Sequence, residues 1–419
     1  MTEEPRFSRR GWIVTTSGVI AAGLLKTQAD AVKLAAQEAP APGTDPTRVV
    51  GRFVSEIGQR APGEQPRRLV RRDAPSSSSR TPLQDLHGII TPSDLHFERH
   101  HAGVPDIASD SHELLIHGMV DRPLVLSMAD VRRFPSVSSI CFVECSGNGG
   151  GVYNPNRMPE RVSPQQLDGL LSTSEWTGVP LATLLHEVGV KPGASWILAE
   201  GSDAAVMSRS VPLEKAMDDA LVAYGQNGEA IRPEQGYPIR LVLPGWEGNA
   251  QVKWLRRIEV TDRPTMTRDE TSRYTDPLKD GTARQFSFVM DAKSVITFPA
   301  YPYQLPEEGW WEIQGLAWSG RGKITRVDVS TDIGRTWSPA ELQEPVLSKA
   351  TTRFRHVWHW DGGETVILSR AVDETGYVQP RLGQLIAARG EGTAYHQNHI
   401  RAWKIARDGT VTFGLGELL

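Results

Sequence analysis

The chain has almost no cysteine: two residues, Cys141 and Cys145, among 419. That excludes a disulfide framework and any cysteine-rich zinc or iron–sulfur site. A bridge between the two is disfavoured, because positions i and i+4 of an extended strand lie about 13 Å apart, roughly twice what a disulfide tolerates. No C-x-x-C-H motif is present, so the sequence offers no attachment site for a c-type haem. An excess of charge of one sign is also lacking. Lys and Arg number 46 against 50 Asp and Glu, a net of −4, which gives no reason to expect nucleic acid or an anionic membrane surface as main partner. Long apolar runs are missing too. The run from Gly11 to Leu25 is short and broken by Thr, Ser and Gly, and no membrane span is expected.

What is abundant is Trp and Pro, 12 and 29 residues, which suits a strand- and loop-rich protein better than a helical bundle. The length exceeds what one hydrophobic core usually supports, so two domains are expected. Ser8-Arg9-Arg10-Gly11-Trp12-Ile13, the apolar run behind it and the small residues Ala29-Asp30-Ala31 read as a twin-arginine export signal over 1–36. That route carries folded proteins to the periplasm, which hints at a cofactor inserted before export. Residues 37–82, rich in Pro, Gly, Ser and Arg, read as a linker or extended arm. Within them Arg67–Arg72 is either solvated or a docking site.

Structured sequence is expected from about Leu83. Over 83–285 short strands and helices alternate: a strand at Glu113–Met119, a Ser127-capped helix to about Phe134, a strand at Ser139–Glu144, and a helix at Leu181–Val188 ending at Gly189. Along Ser139–Glu144, Phe142 and Glu144 face one way, and Cys141, Val143 and Cys145 the other. Over 286–419 short alternating runs separated by Gly and Asp turns predict an immunoglobulin-like sandwich without a disulfide and without an interrupting helix.

The chemistry concentrates in Cys141-Phe-Val-Glu-Cys145-Ser-Gly-Asn-Gly-Gly150. A cysteine ends a strand and a loop of minimal side chains follows. A thiolate held on a rigid strand suits a soft or high-valent metal. The glycines would let backbone N–H groups approach a bulky anion. The plain alternative is a buried cysteine at a tight turn.

Glu144-Cys145-Ser146-Gly147-Asn148 resembles the cysteine loop of the sulfite oxidase family. Further blocks agree in order: Ile90-Thr91-Pro92, Phe97-Glu98-Arg99-His100-His101, Glu200-Gly201-Ser202-Asp203, Gly236-Tyr237-Pro238-Ile239-Arg240, Val252-Lys253-Trp254-Leu255 and, beyond 299, Trp311 to Ala317 with Ser330-Thr331-Asp332. The resemblance implies an α+β chain, a mixed α/β molybdopterin-binding domain followed by an all-β immunoglobulin-like dimerisation domain. It implies Cys145 as protein ligand to molybdenum of a molybdopterin cofactor. Catalytic roles fall to Cys145, Tyr274, Arg99 and Arg389. Cofactor contacts fall to Phe97, Arg99, His100, His101, Asp203, Gln235, Arg240 and Lys253, with Arg240 and Lys253 suited to a phosphate.

Two departures from the family pattern matter. Gly150 stands where animal and plant sulfite oxidases carry a sulfite-holding arginine, and Gln235 stands where a cofactor-contacting histidine is frequent. The Cys145 loop and Leu170–Val179 look most like the molybdenum subunits of bacterial sulfane dehydrogenases. In that group the substrate is sulfane sulfur on the cysteine of a sulfur carrier protein, and a c-type cytochrome subunit takes the electrons. The alternatives are a sulfite dehydrogenase acting on free sulfite, and a non-catalytic secreted binding protein on the same fold.

Overall fold

A computed structural model describes residues 53–150, 160–278, 280–390 and 395–414. The export signal expected over 1–36, and Gly151 of the glycine run, lie outside the described residues. Residues 53–65 are extended and exposed, with one turn in which the Glu64 N–H donates to the Ala61 carbonyl at 3.0 Å. Residues 66–419 make up a second unit.

Regular structure begins earlier than Leu83. Strands β1 (Leu69–Asp73) and β2 (Ser76–Arg80) form a hairpin, and β2 pairs with β3 (Glu98–His100), placing Ser78 opposite Arg99. The basic, serine-rich stretch therefore belongs to a sheet and is not a linker over Leu69–Arg80. Its serines look like low complexity in the sequence. In the fold the Ser79 hydroxyl is buried and accepts from the Glu98 N–H at 3.1 Å.

The next ten strands are β4 (Glu113–Gly118), β5 (Leu124–Ser127), β6 (Val137–Glu144), β7 (Leu171–Pro180), β8 (Trp196–Gly201), β9 (Ser208–Pro212), β10 (Leu221–Gln226), β11 (Glu229–Ala230), β12 (Arg240–Val242) and β13 (Leu255–Thr261). They make two five-stranded sheets. One runs β11-β10-β7-β6 with β12 also on β10; the other runs β5-β4-β13-β8-β9. In the second, β4 and β13 are parallel, which makes the sheet mixed. Leu114, Ile116, Val179, Ile197, Val222, Leu241 and Ile258 of these sheets share one core. The helix Leu181–Val188 buries Leu181, Leu184, Leu185 and Val188 in that core, a single stripe at i, i+3, i+4, i+7, and ends at Gly189 with φ +69°. The helix expected to reach Phe134 is only Met128–Val131, closed by a Ser127–Asp130 capping box. Arg132 and Arg133 follow Val131 and give a longer helix no apolar face to bury.

Strands β14 (Asp276–Pro277) and β15 (Ala283–Arg284) form a small hairpin before the sandwich. Its strands are β16 (Lys293–Phe298), β17 (Gly309–Trp318), β18 (Ile324–Ser330), β19 (Ser338–Pro339), β20 (Glu341–Gln343), β21 (Thr352–Trp360), β22 (Thr365–Asp373), β23 (Ala402–Ile405) and β24 (Val411–Phe413). Sheets β16-β17-β21-β20 and β19-β18-β22-β23-β24 close over Trp311, Phe354, Trp358, Trp360, Trp403 and Phe413. One expectation fails here. A helix, Leu382–Arg389, interrupts the strands. Only its Leu382 and Leu385 are buried, so it lacks the long apolar stripe that would mark it in the sequence.

The alternation along β6 holds. Phe142 joins Leu83, Leu171, Val295, Leu316 and Trp318 in a cluster shared with the sandwich, while Cys141, Val143 and Cys145 face Phe97, Trp176 and Val242 on the other side. Among the described residues no helix is long and apolar enough to cross a membrane.

Candidate active site

Strand β6 delivers Cys145 to the end of a sheet. The Cys145 N–H donates to the Leu170 carbonyl at 3.0 Å, and the Asn148 N–H returns to the Cys145 carbonyl at 2.8 Å, so the chain turns directly after the thiol. Gly149, at φ +77°, lies against the Arg401 guanidinium, and a Cβ there would run into it. Both cysteines are free. Burial pushes the Cys141 thiol up to about 12 and leaves it inert. Cys145 is half-buried; burial raises its thiol too, opposed by the Gly147 backbone.

Cys145 opens into a cavity that is partly open to solvent. The segment through β3 contributes Phe97, Arg99, His100 and His101, and the loop after β8 contributes Asp203. Gln235, Arg240, Lys253 and Tyr274 complete the predicted set that lines it. Arg389 does not line it. Its guanidinium pairs with Asp291 at 2.8 Å and donates to the His396 carbonyl at 2.8 Å, one layer behind the cavity.

One end of the cavity is cationic. Arg240, 2% exposed, lies over the Trp176 ring at 4.8 Å and donates to the carbonyls of Gln235 at 2.9 Å and Gln251 at 3.2 Å, leaving its Nε without a partner among the described residues. Burial lowers its pKa to about 10. The Lys253 ammonium donates to the Arg99 and Glu234 carbonyls at 3.3 and 3.1 Å and to His100 Nδ1 at 2.8 Å. Burial, then the neighbouring Arg240, bring its pKa down to about 7. An ammonium only donates, so His100 Nδ1 accepts and its Nε2–H donates to Glu98 at 2.8 Å. Glu98 in turn pairs with Arg68 of the basic stretch. Gln235 is a working member of this end: its side-chain amide donates to the Phe97 carbonyl at 2.9 Å and its own carbonyl anchors Arg240.

At the other end His101 Nε2 and Tyr274 Oη are 2.8 Å apart, and Arg273 donates to His101 Nδ1 at 2.8 Å. Burial, then Arg99 and Arg273, lower the His101 pKa to about 4, so the ring is neutral at physiological pH. Burial likewise raises the Tyr274 phenol far above its usual range. Several contributors were not legible in the sequence. Arg209, fully buried, lies over the Tyr274 ring at 5.1 Å and pairs with Glu247 at 3.1 Å. Asn249 donates to Ser146 Oγ at 3.0 Å, and the His396 N–H donates to the Ser146 carbonyl at 2.8 Å. Tyr395 stands 5.4 Å from the Tyr274 ring. Tyr395 and His396 come from the sandwich, some 250 residues after Cys145 in the chain, and no local pattern links them to the cysteine loop.

Residues 101–268 match the family model of the oxidoreductase molybdopterin binding domain, and residues 284–403 match that of the Mo-co oxidoreductase dimerisation domain. The crystal structure of the sulfane dehydrogenase SoxCD from Paracoccus pantotrophus is similar with a TM-score of 0.86 and 43% identity, covering 90% of this chain and 99% of that one. The chain belongs to the sulfite oxidase family of molybdopterin oxidoreductases. NADH nitrate reductases are also similar, 33% identical over 347 residues in Solanum lycopersicum and 30% over 346 in Ulva prolifera. These alignments cover 72% of this chain but only 38% and 39% of the relatives, so the chain spans less than two fifths of their length.

The family cofactor is molybdenum held by molybdopterin, and the cavity fits it. Two cations, buried Arg240 and half-buried Lys253, share one end with no carboxylate bonded to either among the described residues, and an anionic phosphate would supply the missing charge. The Asp203 carboxylate, buried at the cavity wall, accepts from the Met207 N–H at 3.0 Å and keeps acceptor capacity for the amino groups of a pterin.

Proposed function

We propose that this family member oxidises sulfane sulfur bound to the cysteine of a carrier protein in the periplasm, after export through the twin-arginine route. The observation that carries the reading is the 43% identity to a sulfane dehydrogenase over 99% of that chain. Gly150 supports it. Without an arginine five residues after Cys145, the pocket loses a fixed cation for a free dianion and gains room for a tethered sulfur.

In this reading Cys145 holds the metal, Arg240 and Lys253 hold the phosphate, and Phe97, His100, Asp203 and Gln235 hold the pterin. When bound, the cofactor supplies oxygen transfer to sulfur and takes up two electrons. The residues contribute charge and orientation. Arg99 and the Tyr274 hydroxyl oppose negative charge building on oxygen, and His101 and Arg209 keep that hydroxyl aimed. With no haem attachment motif in this sequence, electrons leave to a separate partner, which the resemblance to sulfane dehydrogenase molybdenum subunits makes a c-type cytochrome subunit. The C-terminal sandwich pairs two copies of the chain.

The test is a substrate comparison on protein recovered from its export compartment. Molybdenum is measured first, then cytochrome c reduction with carrier-bound sulfane sulfur, thiosulfate and sulfite. Stoichiometric metal and a higher kcat/KM for the carrier-bound sulfur are expected. A clear preference for free sulfite would replace this reading with a sulfite dehydrogenase, and metal-free exported protein would leave a binding protein.

A further inference from the structure

The cysteine loop sits on a cluster of four fully buried charges drawn from both domains. Glu144 immediately precedes Cys145, and Asp168 lies on the helix that leads to β7. Lys293, the first residue of β16, reaches both: Nζ is 3.1 Å from Glu144 Oε1 and 2.6 Å from Asp168 Oδ1. Arg401 grips Asp168 with two bonds of 3.1 Å, and the Trp318 indole N–H donates to Glu144 Oε2 at 2.6 Å. All four charged groups are at most 2% exposed, two acids against two bases. On the far side of the thiol, Asn148 donates to Glu144 Oε1 at 3.0 Å and to the Asp168 carbonyl at 2.9 Å.

A buried ion cluster of this kind is poor value as stabilisation, because apolar residues of similar volume often do as well or better. Its geometry is informative instead. The residue before Cys145 and the residue three after it are tied to one another, and through Glu144 to Lys293 and Trp318 of the sandwich. We infer that the sandwich acts as a clamp on the metal-ligand loop, with Lys293 and Trp318 as positioning residues that fix the Cys145 thiolate. The domain matched as a dimerisation module thus completes the site of its own chain. Gly149 fits the same account, since it must lack a Cβ to pack against Arg401.

The test uses the full chain as wild type, Trp318→Phe, Lys293→Met and Lys293→Arg. Trp318→Phe removes one donor to Glu144 and keeps an aromatic ring. In chains produced without cofactor, iodoacetamide labelling of Cys145 is timed against labelling of buried Cys141. In cofactor-loaded chains, the sulfur-to-metal charge-transfer band is compared. Trp318→Phe and Lys293→Met are expected to speed Cys145 labelling by about tenfold through local opening, with Cys141 unchanged. The band should shift in both, and Lys293→Arg should stay close to wild type. Should Lys293→Met not fold, Trp318→Phe decides alone. Folded Trp318→Phe with wild-type labelling and an unshifted band would overturn the clamp, as would Cys141 labelling that rises in step with Cys145. The labelling needs neither metal nor substrate, so its outcome is independent of which sulfur compound is oxidised.

Discussion

Tyr274 is fixed from three directions: Arg209 over its ring, Tyr395 beside it and His101 at its hydroxyl. Because the Arg273 guanidinium can only donate, His101 Nδ1 accepts, and a neutral ring then carries its proton on Nε2. That proton goes to Tyr274 Oη, so the phenolic hydrogen is left to point into the cavity. Tyr274→Phe should therefore lower turnover about a hundredfold, the usual cost of one oxyanion donor, with molybdenum content unchanged. Turnover and metal analysis on one preparation check this, and loss of metal would reassign Tyr274 to cofactor binding. Cys145→Ser is expected to reduce activity to background. It lies at a strand end beside the cavity, so in cofactor-free chains its melting temperature should stay within a few degrees of wild type. Surviving activity in that variant would remove Cys145 from the metal site.

Among the elements, the hairpin β1–β2 changes most in meaning between sequence and structure. Its serines and arginines read as a solvated stretch, and β1 is indeed exposed along its length, but Arg68 just before it pairs with Glu98, Glu98 accepts from His100, and His100 accepts from Lys253. The hairpin thus buttresses the phosphate end of the cavity from outside. Removing residues up to Arg80 should leave both domain cores intact while cutting retained molybdenum at least tenfold, about the effect of losing supporting partners around a metal site. Metal content and near-UV circular dichroism of the truncated chain test this, and full retention would make the hairpin a bystander. The contrast shows what patterns report. β6 was legible because apolar alternation is a local property set by burial. The cavity residues were legible only through resemblance, because Arg240, Lys253 and Tyr274 lie 95, 108 and 129 residues beyond Cys145 in the chain. Arg209, Tyr395 and the Leu382–Arg389 helix were not legible at all: a buried arginine looks like a surface one, and a helix with two buried leucines has no stripe.

For the molecule as a whole, the cavity carries a charge imbalance that the cofactor must correct, and stability should report it. In the cofactor-free chain the Lys253 pKa is brought down to about 7, while an unfolded lysine titrates near about 10.4. Between those values the unfolded chain binds more protons than the folded one, so stability rises with pH across the window. Below about 7 both states are protonated and the folded chain bears the full cost of the buried ammonium. The urea midpoint of the cofactor-free protein is therefore expected to climb from pH 7 towards about pH 10. A bound phosphate keeps the ammonium charged and should abolish that climb in the loaded protein. Lys253→Met carries the same argument by substitution. It should stabilise the cofactor-free chain near neutral pH, flatten its pH dependence, and at the same time lower the molybdenum retained. Urea titrations at several pH values, paired with metal analysis, measure all three. A wild-type midpoint that stays flat over this window would mean that Lys253 keeps its ordinary pKa, and the cationic end would lose its claim on an anion.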